Sequence, residues 1–385
     1  MGRLLCGVIL SFIIPGRARS GSAAGFSTGF DQERATESSH ASAELDQRTR
    51  ELEQMIASIS TPDVDALARA LGVPLVVEKS GNHDDESPLS QSSQLRIFEG
   101  TQSGESPACV LFRSGQGAGE GGQPAAGDWT LDYLAWDGTR WRASGLDPAP
   151  PGLVSPADWK SRVLPLSAKI ISREAGEQML ALLLYDAPAG AVYPLVYRVK
   201  EHQATLAWDS RSEESRYEAW SGGQIKFAKP EAGILPAMIA SGIADPGLLV
   251  FERASNRGFQ VRTTYVWKGN EYAPVHTEYE ANEDFRLYEF ISALHLHNFQ
   301  AAYALIDPAN FLGTDQPSLE AFRDAIQKSW SEFLDDQLFR ASARDPADGN
   351  GHAFELDEAG KKSKYLPRFS SGPKFLLTSL ARREE

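Results

Sequence analysis

Between about residues 94 and 280 the chain alternates apolar and polar residues with a period of two. Clusters of glycine and proline interrupt this alternation, as in "GQGAGEGGQPAAG" (115–127) and "GLDPAPPGLVSP" (145–156). Successive side chains of a β-strand point to opposite faces of a sheet, so this period predicts strands, and the clusters predict turns and loops between them. We therefore expect an antiparallel β-repeat domain over 94–280, either propeller-like or built from several sheets.

The expected strands of this region have no common length and follow the alternation wherever it lasts four residues or more. They are Gln94–Phe98, Ala108–Phe112, Trp129–Trp136, Thr139–Ser144, Met179–Tyr185, Ala191–Val199, Thr205–Asp209, Arg216–Trp220, Gln224–Ala228, Leu248–Glu252, Phe259–Trp267 and Glu271–Tyr279. Three more are expected near the C-terminus, at His352–Leu356, Lys364–Phe369 and Lys374–Leu380.

A tryptophan motif occurs three times: "LAWDGTRW" (134–141), "EAWSGGQI" (218–225) and "YVWKGNEY" (265–272). Each copy reads Trp, any residue, Gly, two residues, then a large apolar residue. Asp-Gly is a strong signal for a two-residue hairpin turn, because both turn positions favour a positive φ. In that register the first copy places Leu134, Trp136, Thr139 and Trp141 on one face, and the third copy does the same with Tyr265, Trp267, Asn270 and Tyr272.

The aromatic face of these hairpins has two interpretations. Large aromatic residues usually pack in the core between sheets, and this is the interpretation we favour. Alternatively, the rings could form an exposed platform for sugar rings or a peptide, in which case the candidate ligand-binding residues are Trp136, Trp141, Trp267 and Tyr272. Burial of these four side chains distinguishes the two interpretations.

The hairpins resemble the Trp-x-Gly-x-x-Tyr strand pairs of some exported bacterial β-propellers and related repeat sheets. Each copy follows an apolar strand, and the second and third tryptophans lie 47 residues apart, near the length of one propeller blade. The resemblance implies antiparallel repeat sheets, and it covers the central region only.

Helical periods flank this region on both sides. "ELDQRTRELEQMIASI" (44–59) predicts one helix, and "STPDVDALARALG" (60–72) predicts a second, with Thr61 as N-cap, Pro62 at the first position and Gly72 at the end. The C-terminal part, 281–385, is expected to form a small α+β domain. Its first helix begins after Asn282.

Three helices are expected in this C-terminal part. A break is expected near His297 and Asn298, a second helix stops at Pro308, and Ser318 caps the third. The first two are similar to the opening helices of exported proteins with the nuclear-transport-factor-2-like cone, and the matching residues are Phe290, Ala293, Leu294, Phe299, Ala302, Tyr303 and Leu305. That resemblance implies a curved sheet after the helices.

The N-terminus predicts export. A short basic start, "MGR", precedes the apolar run "LLCGVILSFII" and then small residues, which is the layout of a secretory signal peptide. We expect a signal peptide at 1–20, a flexible linker at 21–43, and a helical segment with a loop at 44–93, in a periplasmic or extracellular protein. No later segment is long and apolar enough for a membrane span. Cleavage would remove Cys6 and leave Cys109 as a single, core-type thiol.

Charge argues against nucleic acid as a partner. The formal net charge is −14, from 52 acidic and 38 basic residues, so a polyanion is repelled overall. The compact basic runs are "GKKSK" (360–364) and "ARR" (381–383), and they are too short to argue for such a partner. An envelope protein or a glycan is the partner class we expect.

Candidate catalytic chemistry is sparse. His295 and His297 lie in a helical period and would point apart, while His276, Glu278 and Glu280 share one face of a strand and could form a weak metal or acid–base site or a solvated face. P-loop, dinucleotide, Cys-x-x-Cys, His-Glu-x-x-His and Gly-x-Ser-x-Gly motifs are absent from the sequence, so we expect no cofactor, no metal and no catalytic residue.

These observations favour an exported, non-catalytic binding or scaffold protein of the cell envelope. The alternative is a secreted hydrolase whose site is assembled from carboxylates dispersed along the chain, because residues distant in sequence can meet in space.

Overall fold

A computed structural model describes residues 43, 45–78, 93–98, 107–114, 129–148, 163–174, 177–228, 235–244, 250–253, 258–334, 340–344, 353–358 and 361–383. The chain divides into two compact units, Met1–Glu44 and Leu45–Glu385. The expected signal peptide (1–20) lies outside the described residues, and so does the expected linker (21–43) except for Ala43. All other described residues belong to the second unit.

Most of the described residues belong to four sheets. Sheet 1 contains β1 (Leu75–Glu78), β2 (Gln94–Phe98), β3 (Ala108–Ser114), β4 (Trp129–Trp136) and β5 (Trp141–Leu146), in that order. Sheet 2 contains β6 (Val163–Glu174), β7 (Glu177–Asp186), β8 (Ala191–Lys200) and β9 (Gln203–Asp209), also in chain order.

Sheet 3 has the order β10 (Ser221–Phe227), β11 (Met238–Ala244), β13 (Phe259–Lys268) and β14 (Glu271–Tyr279). Sheet 4 has the order β12 (Val250–Arg253), β15 (Arg340–Arg344), β16 (Ala353–Glu358), β17 (Lys361–Phe369) and β18 (Leu377–Arg383). The pairs β1–β2 and β12–β15 are parallel, and the other pairs are antiparallel. The expected mainly β architecture with helices at both ends is confirmed in its multi-sheet form.

Several strands differ from the expectation. β1, β6, β11 and β15 were not predicted, and the expected strand Arg216–Trp220 is an irregular segment before β10. Pro165 argues against a strand in the sequence, because proline has no backbone N–H to donate to a neighbouring strand. β6 accommodates it at the edge of sheet 2, next to a register shift between Pro165 and Ser167.

Sheet 2 lies between sheet 1 and sheet 3, and β7 explains how. Leu180, Leu182 and Leu184 pack against sheet 1, whereas Met179, Ala181 and Leu183 pack against sheet 3. A strand that is buried on both faces needs apolar residues at every position. The continuous run "MLALLL" is therefore the sequence signature of the middle layer.

The two N-terminal helices cover the other face of sheet 1. Helix α1 (45–56) and helix α2 (Val64–Leu71) pack Leu52, Ile56 and Leu67 against that face. The N-cap of α2 is Asp63, whose carboxylate accepts the Asp65 N–H at 2.9 Å. Thr61 was therefore the wrong cap: an aspartate two residues later offers the stronger acceptor. Gly72 ends α2 with φ 65°, as expected.

An ion cluster holds α1 on the sheet. Asp132 of β4 has a fully buried side chain, and its Oδ1 accepts from Arg48 Nη2 of α1 at 3.2 Å. Its Oδ2 accepts from Arg113 Nη2 of β3 at 2.9 Å. Removing one partner from a buried pair is costly, since it leaves an uncompensated charge. Asp132 therefore fixes where α1 lies on sheet 1.

The C-terminal helices follow sheet 3 directly. They are α3 (Glu283–His295), α4 (Phe299–Ala304), α5 (Pro308–Leu312) and α6 (Leu319–Ser329). Asn282 and Ser318 cap α3 and α6 as expected, and the break at 296–298 is confirmed. Pro308 starts α5 and does not only stop α4, because proline fits the first helical position and Asp307 caps it.

These helices and sheet 4 share one core. Its buried residues include Phe290, Ile291 and Phe322 of the helices, and Tyr365 and Leu380 of β17 and β18. β12 lies in the part of the chain expected to form the β-repeat domain, yet it pairs with β15 in sheet 4. One strand from the central region thus joins the C-terminal sheet.

The middle tryptophan motif is not a hairpin turn. Trp220 precedes β10, and Gly222, with φ 66°, donates its N–H to the Gly190 carbonyl at 2.7 Å. A Cβ on Gly223 would lie 2.8 Å from the Trp220 carbonyl oxygen and 3.4 Å from the backbone N of Val192 in β8. The two glycines therefore let the start of β10 approach the β7–β8 turn of sheet 2.

Gly223→Ala should test this close approach. The added methyl group meets backbone that cannot rotate away, so we expect a loss of about 1–3 kcal/mol in the free energy of unfolding. Gly372→Ala is the matched control, since nothing lies within 4 Å of its Cβ position. We expect the control to change stability by about 0.5 kcal/mol or less. Equal denaturation midpoints for both variants would contradict the assignment.

Candidate functional site

The first tryptophan hairpin turns through four residues, not two. The Asp137 N–H donates to the Arg140 carbonyl at 3.0 Å, and Trp136 pairs directly with Trp141. The expected register, with Trp136 opposite Thr139, is therefore wrong, and Thr139 lies exposed in the turn.

The Asp137 carboxylate explains the longer turn. Its Oδ1 accepts from the Thr139 hydroxyl at 2.7 Å, the Thr139 N–H at 2.8 Å and the Arg140 N–H at 2.9 Å. Together with Arg142, these donors hold the pKa of Asp137 well below its usual range, the Thr139 hydroxyl contributing most. Aspartate favours such local side-chain turns, and here that preference overrides the two-residue Asp-Gly turn.

Trp136 and Trp141 lie inside the interface between sheet 1 and the N-terminal helices. Their exposed fractions are 8% and 2%, and their rings meet edge to face at a centroid distance of 6.0 Å. Trp141 Nε1 donates to the Thr61 carbonyl at 3.0 Å, just before α2. Leu134 and Ala143 share the same face, so this hairpin contributes core residues.

The third motif does form a two-residue hairpin turn, at Gly269 and Asn270. Lys268 pairs with Glu271, and Trp267 pairs with Tyr272. Asn270 occupies the turn and is exposed, so its expected place on the aromatic face is wrong. Tyr272 is fully buried, while Trp267 is half-buried beside it at a centroid distance of 5.2 Å.

Tyr272 belongs to an aromatic cluster between sheets 2 and 3. Its ring contacts Trp208 at 5.4 Å, Trp208 contacts Tyr217 at 6.3 Å, and Tyr217 contacts Tyr265 at 5.4 Å. Edge-to-face and tilted ring pairs at these distances stabilise the fold beyond what the burial of their apolar area contributes. Trp208 and Tyr217 were not among the candidate residues, because neither lies in a tryptophan motif. For Trp208, the alternation of apolar and polar residues in "ATLAWD" (204–209) was the available sign that its side chain is buried.

Burial keeps the tyrosine hydroxyls of this cluster neutral. The Tyr217 hydroxyl donates to the Val192 carbonyl at 2.6 Å, and the Tyr272 hydroxyl donates to the Pro236 carbonyl at 2.9 Å. Burial raises the pKa of both groups above the usual range for tyrosine, and raises that of Tyr265 to about 12. The same desolvation raises the pKa of Tyr197 in sheet 2.

Two buried carboxylates are candidates for the dispersed hydrolase site, and each is engaged by arginine. Asp132 accepts from Arg48 and Arg113. Asp209, at the end of β9, accepts from Arg211 Nε at 2.9 Å through Oδ1 and from Arg211 Nη2 at 2.7 Å through Oδ2. Such bidentate pairs position neighbouring backbone, and Arg211 also donates to the Pro148 carbonyl.

The candidate histidines lie at or near the surface. His276 and Glu278 are exposed on β14, with 3.5 Å between Nε2 and Oε2, as expected for a solvated strand face. His295 is the last residue of α3. His297, two residues later, has φ 53° and lies outside the helix. In the part of the chain that the structure describes, no three His, Cys, Asp or Glu residues come together in a metal-binding group.

Comparison of the sequence with protein-family models gives no match, and comparison with curated proteins gives none either. Among the described helices, none combines the length and apolar character needed to cross a bilayer.

Trp141→Ala should separate the core interpretation from the platform interpretation. Removing a buried indole creates a cavity, so we expect the free energy of unfolding to fall by about 3–5 kcal/mol. Trp267→Ala is the comparison, because its ring is half-buried and its loss should cost roughly half as much or less. Chemical denaturation measures both. A Trp141→Ala protein with unchanged stability would contradict the burial of the Trp141 ring.

Alkaline titration should reveal the buried tyrosines. A pKa raised above the ordinary value of about 10 means that the folded state holds its proton more tightly. This difference in pKa between the folded and unfolded states adds to the free energy of unfolding. For Tyr265 the contribution is fully present below about pH 10 and is lost as the pH rises through about 12. We expect the tyrosinate absorbance of the 11 tyrosines to rise in two phases, the later coinciding with unfolding. A single transition near pH 10 in folded protein would contradict this.

Proposed function

We propose that this protein is an exported, non-catalytic binding or scaffold protein of the cell envelope. The observation that carries the proposal is the burial of sheet 2 on both faces, which joins three sheets into a continuous stack. Export is supported by the three-part N-terminus of the sequence. A stack of this kind supplies a rigid body on which surface residues can be held in place.

The non-catalytic part of the proposal is supported by the use of the buried polar groups. Asp132 and Asp209 are engaged by arginines that link separate elements, so their oxygens position structure. The hydrolase alternative needs two carboxylates that converge on one cleft and are accessible to substrate. We favour the scaffold because the buried carboxylates described here are already paired.

The resemblance to exported β-propellers also supports the proposal. Sheets 1, 2 and 3 are antiparallel in their main part and stack in chain order, which is how neighbouring blades pack. Among the four candidate ligand-binding residues, Trp267 has a half-buried ring, whereas the other three are buried. We propose the third hairpin, around Trp267, as the place where a glycan or peptide would contact an aromatic ring.

Expression of the full chain in a bacterial host, with a reporter that is active only outside the cytoplasm, tests the export proposal. We expect reporter activity that depends on residues 1–20, together with a shortened N-terminus in mass spectrometry. Cytoplasmic retention of the full chain would contradict export. Turnover of glycan, peptide or ester substrates by the purified protein would contradict the non-catalytic assignment, whatever the location.

A further inference from the structure

Two buried polar groups at the interface between sheets 2 and 3 have no hydrogen-bond partner among the described residues. They are the indole Nε1 of Trp208 and the hydroxyl Oγ of Ser210. Trp208 is 6% exposed and Ser210 is 5% exposed, so bulk solvent does not pair with either group. Buried polar atoms in folded proteins are almost always hydrogen-bonded, and each exception needs a physical explanation.

The backbone directs both side chains to the same side of sheet 2. Trp208 pairs with Val196 of β8, and the Ser210 N–H continues the ladder by donating to the Pro194 carbonyl at 3.2 Å. Side chains alternate along a strand, so Trp208 and Ser210 share one face and Asp209 lies on the other. The shared face looks toward sheet 3, because Trp208 and Val196 belong to the core between sheets 2 and 3.

The aromatic neighbours of Trp208 do not account for both groups. Its ring meets Tyr217 at a centroid distance of 6.3 Å and an interplanar angle of 87°. A contact between the indole N–H and this ring is a weak hydrogen bond at best, and it leaves the Ser210 hydroxyl unpaired. The Tyr217 hydroxyl donates its own proton to the Val192 carbonyl.

The two groups define the chemistry of a partner. An indole N–H only donates, whereas a hydroxyl donates and accepts. A molecule that pairs with both must accept a hydrogen bond from Trp208 and share a second one with Ser210. An ion is the poorer match, because burying a charge without a counter-charge is costly and the Asp209–Arg211 ion pair satisfies itself on the other face. The partner is therefore small and neutral.

We propose that one buried water molecule bridges Trp208 Nε1 and Ser210 Oγ. Buried waters typically make about two to four hydrogen bonds to polar groups that otherwise stay unpaired, and these two groups supply the minimum. Ser210 begins the irregular segment 210–220, which carries the chain from sheet 2 to sheet 3. The water thus ties the start of that segment to the aromatic cluster.

NMR of the isotope-labelled full-length protein tests the bridge. A long-lived bound water gives a cross-relaxation peak with a neighbouring N–H proton, and bulk water does not. We expect such a peak at the indole N–H of Trp208, assigned by its disappearance in Trp208→Phe. The buried indole of Trp129 is the internal control. Its Nε1 donates to the Val163 carbonyl at 3.1 Å, so we expect no water peak there.

Ser210→Ala removes one of the two groups that hold the water. We expect this variant to lose the Trp208 water peak and to shift its indole proton upfield, because the N–H loses its acceptor. Ser329→Ala is the matched control, since that serine is exposed at the end of α6 and its hydroxyl lies outside the cluster. The Trp208 water peak should be unchanged in the control.

Loss of the peak in Ser210→Ala alone supports the bridge. A peak that persists in Ser210→Ala, loss in both serine variants, or no water peak at Trp208 in the unmodified protein overturns it. If Ser210→Ala does not fold, electron density of the unmodified protein at high resolution decides. A water between the two atoms supports the proposal, and an indole N–H directed at the Tyr217 ring or a carbonyl overturns it. These measurements do not depend on export or ligand binding, so their failure is distinguishable from failure of the proposed function.

Discussion

Burial of sheet 2 on both of its faces is the constraint on which the rest of this structure depends. Because β7 packs against sheet 1 on one side and sheet 3 on the other, neither outer sheet can move without exposing a wide apolar surface. Sheet 1 has a second face to cover, and helices α1 and α2 cover it, with Asp132 holding α1 by charge. The layers therefore follow in the order sheet 3, sheet 2, sheet 1 and N-terminal helices.

The aromatic residues serve this stacking. Trp136 and Trp141 lie under the N-terminal helices, and Tyr265 and Tyr272 lie between sheets 2 and 3. The polar atoms of Trp141 and Tyr272 reach backbone carbonyls at the margins of these interfaces, so the rings can be buried without loss of hydrogen bonds. Of the four candidate ligand-binding residues, three are buried in these interfaces and Trp267 alone is half-buried.

Strand alternation predicted most of the strands, because period two is a local property that burial on one face imposes. It failed where local chemistry competed. β6 was not predicted because it contains Pro165. The Asp137 carboxylate accepts hydrogen bonds within its own turn, and the register of the first hairpin therefore differs from the expected one. Caps were predictable at Asn282 and Ser318, since one side chain and one backbone N–H decide them. The ring contacts of Trp208 with Tyr272 and of Tyr217 with Tyr265 could not be predicted, because the paired residues are far apart in the chain.

The sequence by itself determined the kind of molecule: a mainly β chain with helices at both ends, acidic overall. Composition, period and capping are local, so they can be recognised without coordinates. Only the tertiary structure decided that sheet 2 is the middle layer, that β12 joins sheet 4, and that Lys364 lies opposite Arg383. Those are pairings between distant segments, and they are selected by the burial that the whole chain achieves at once.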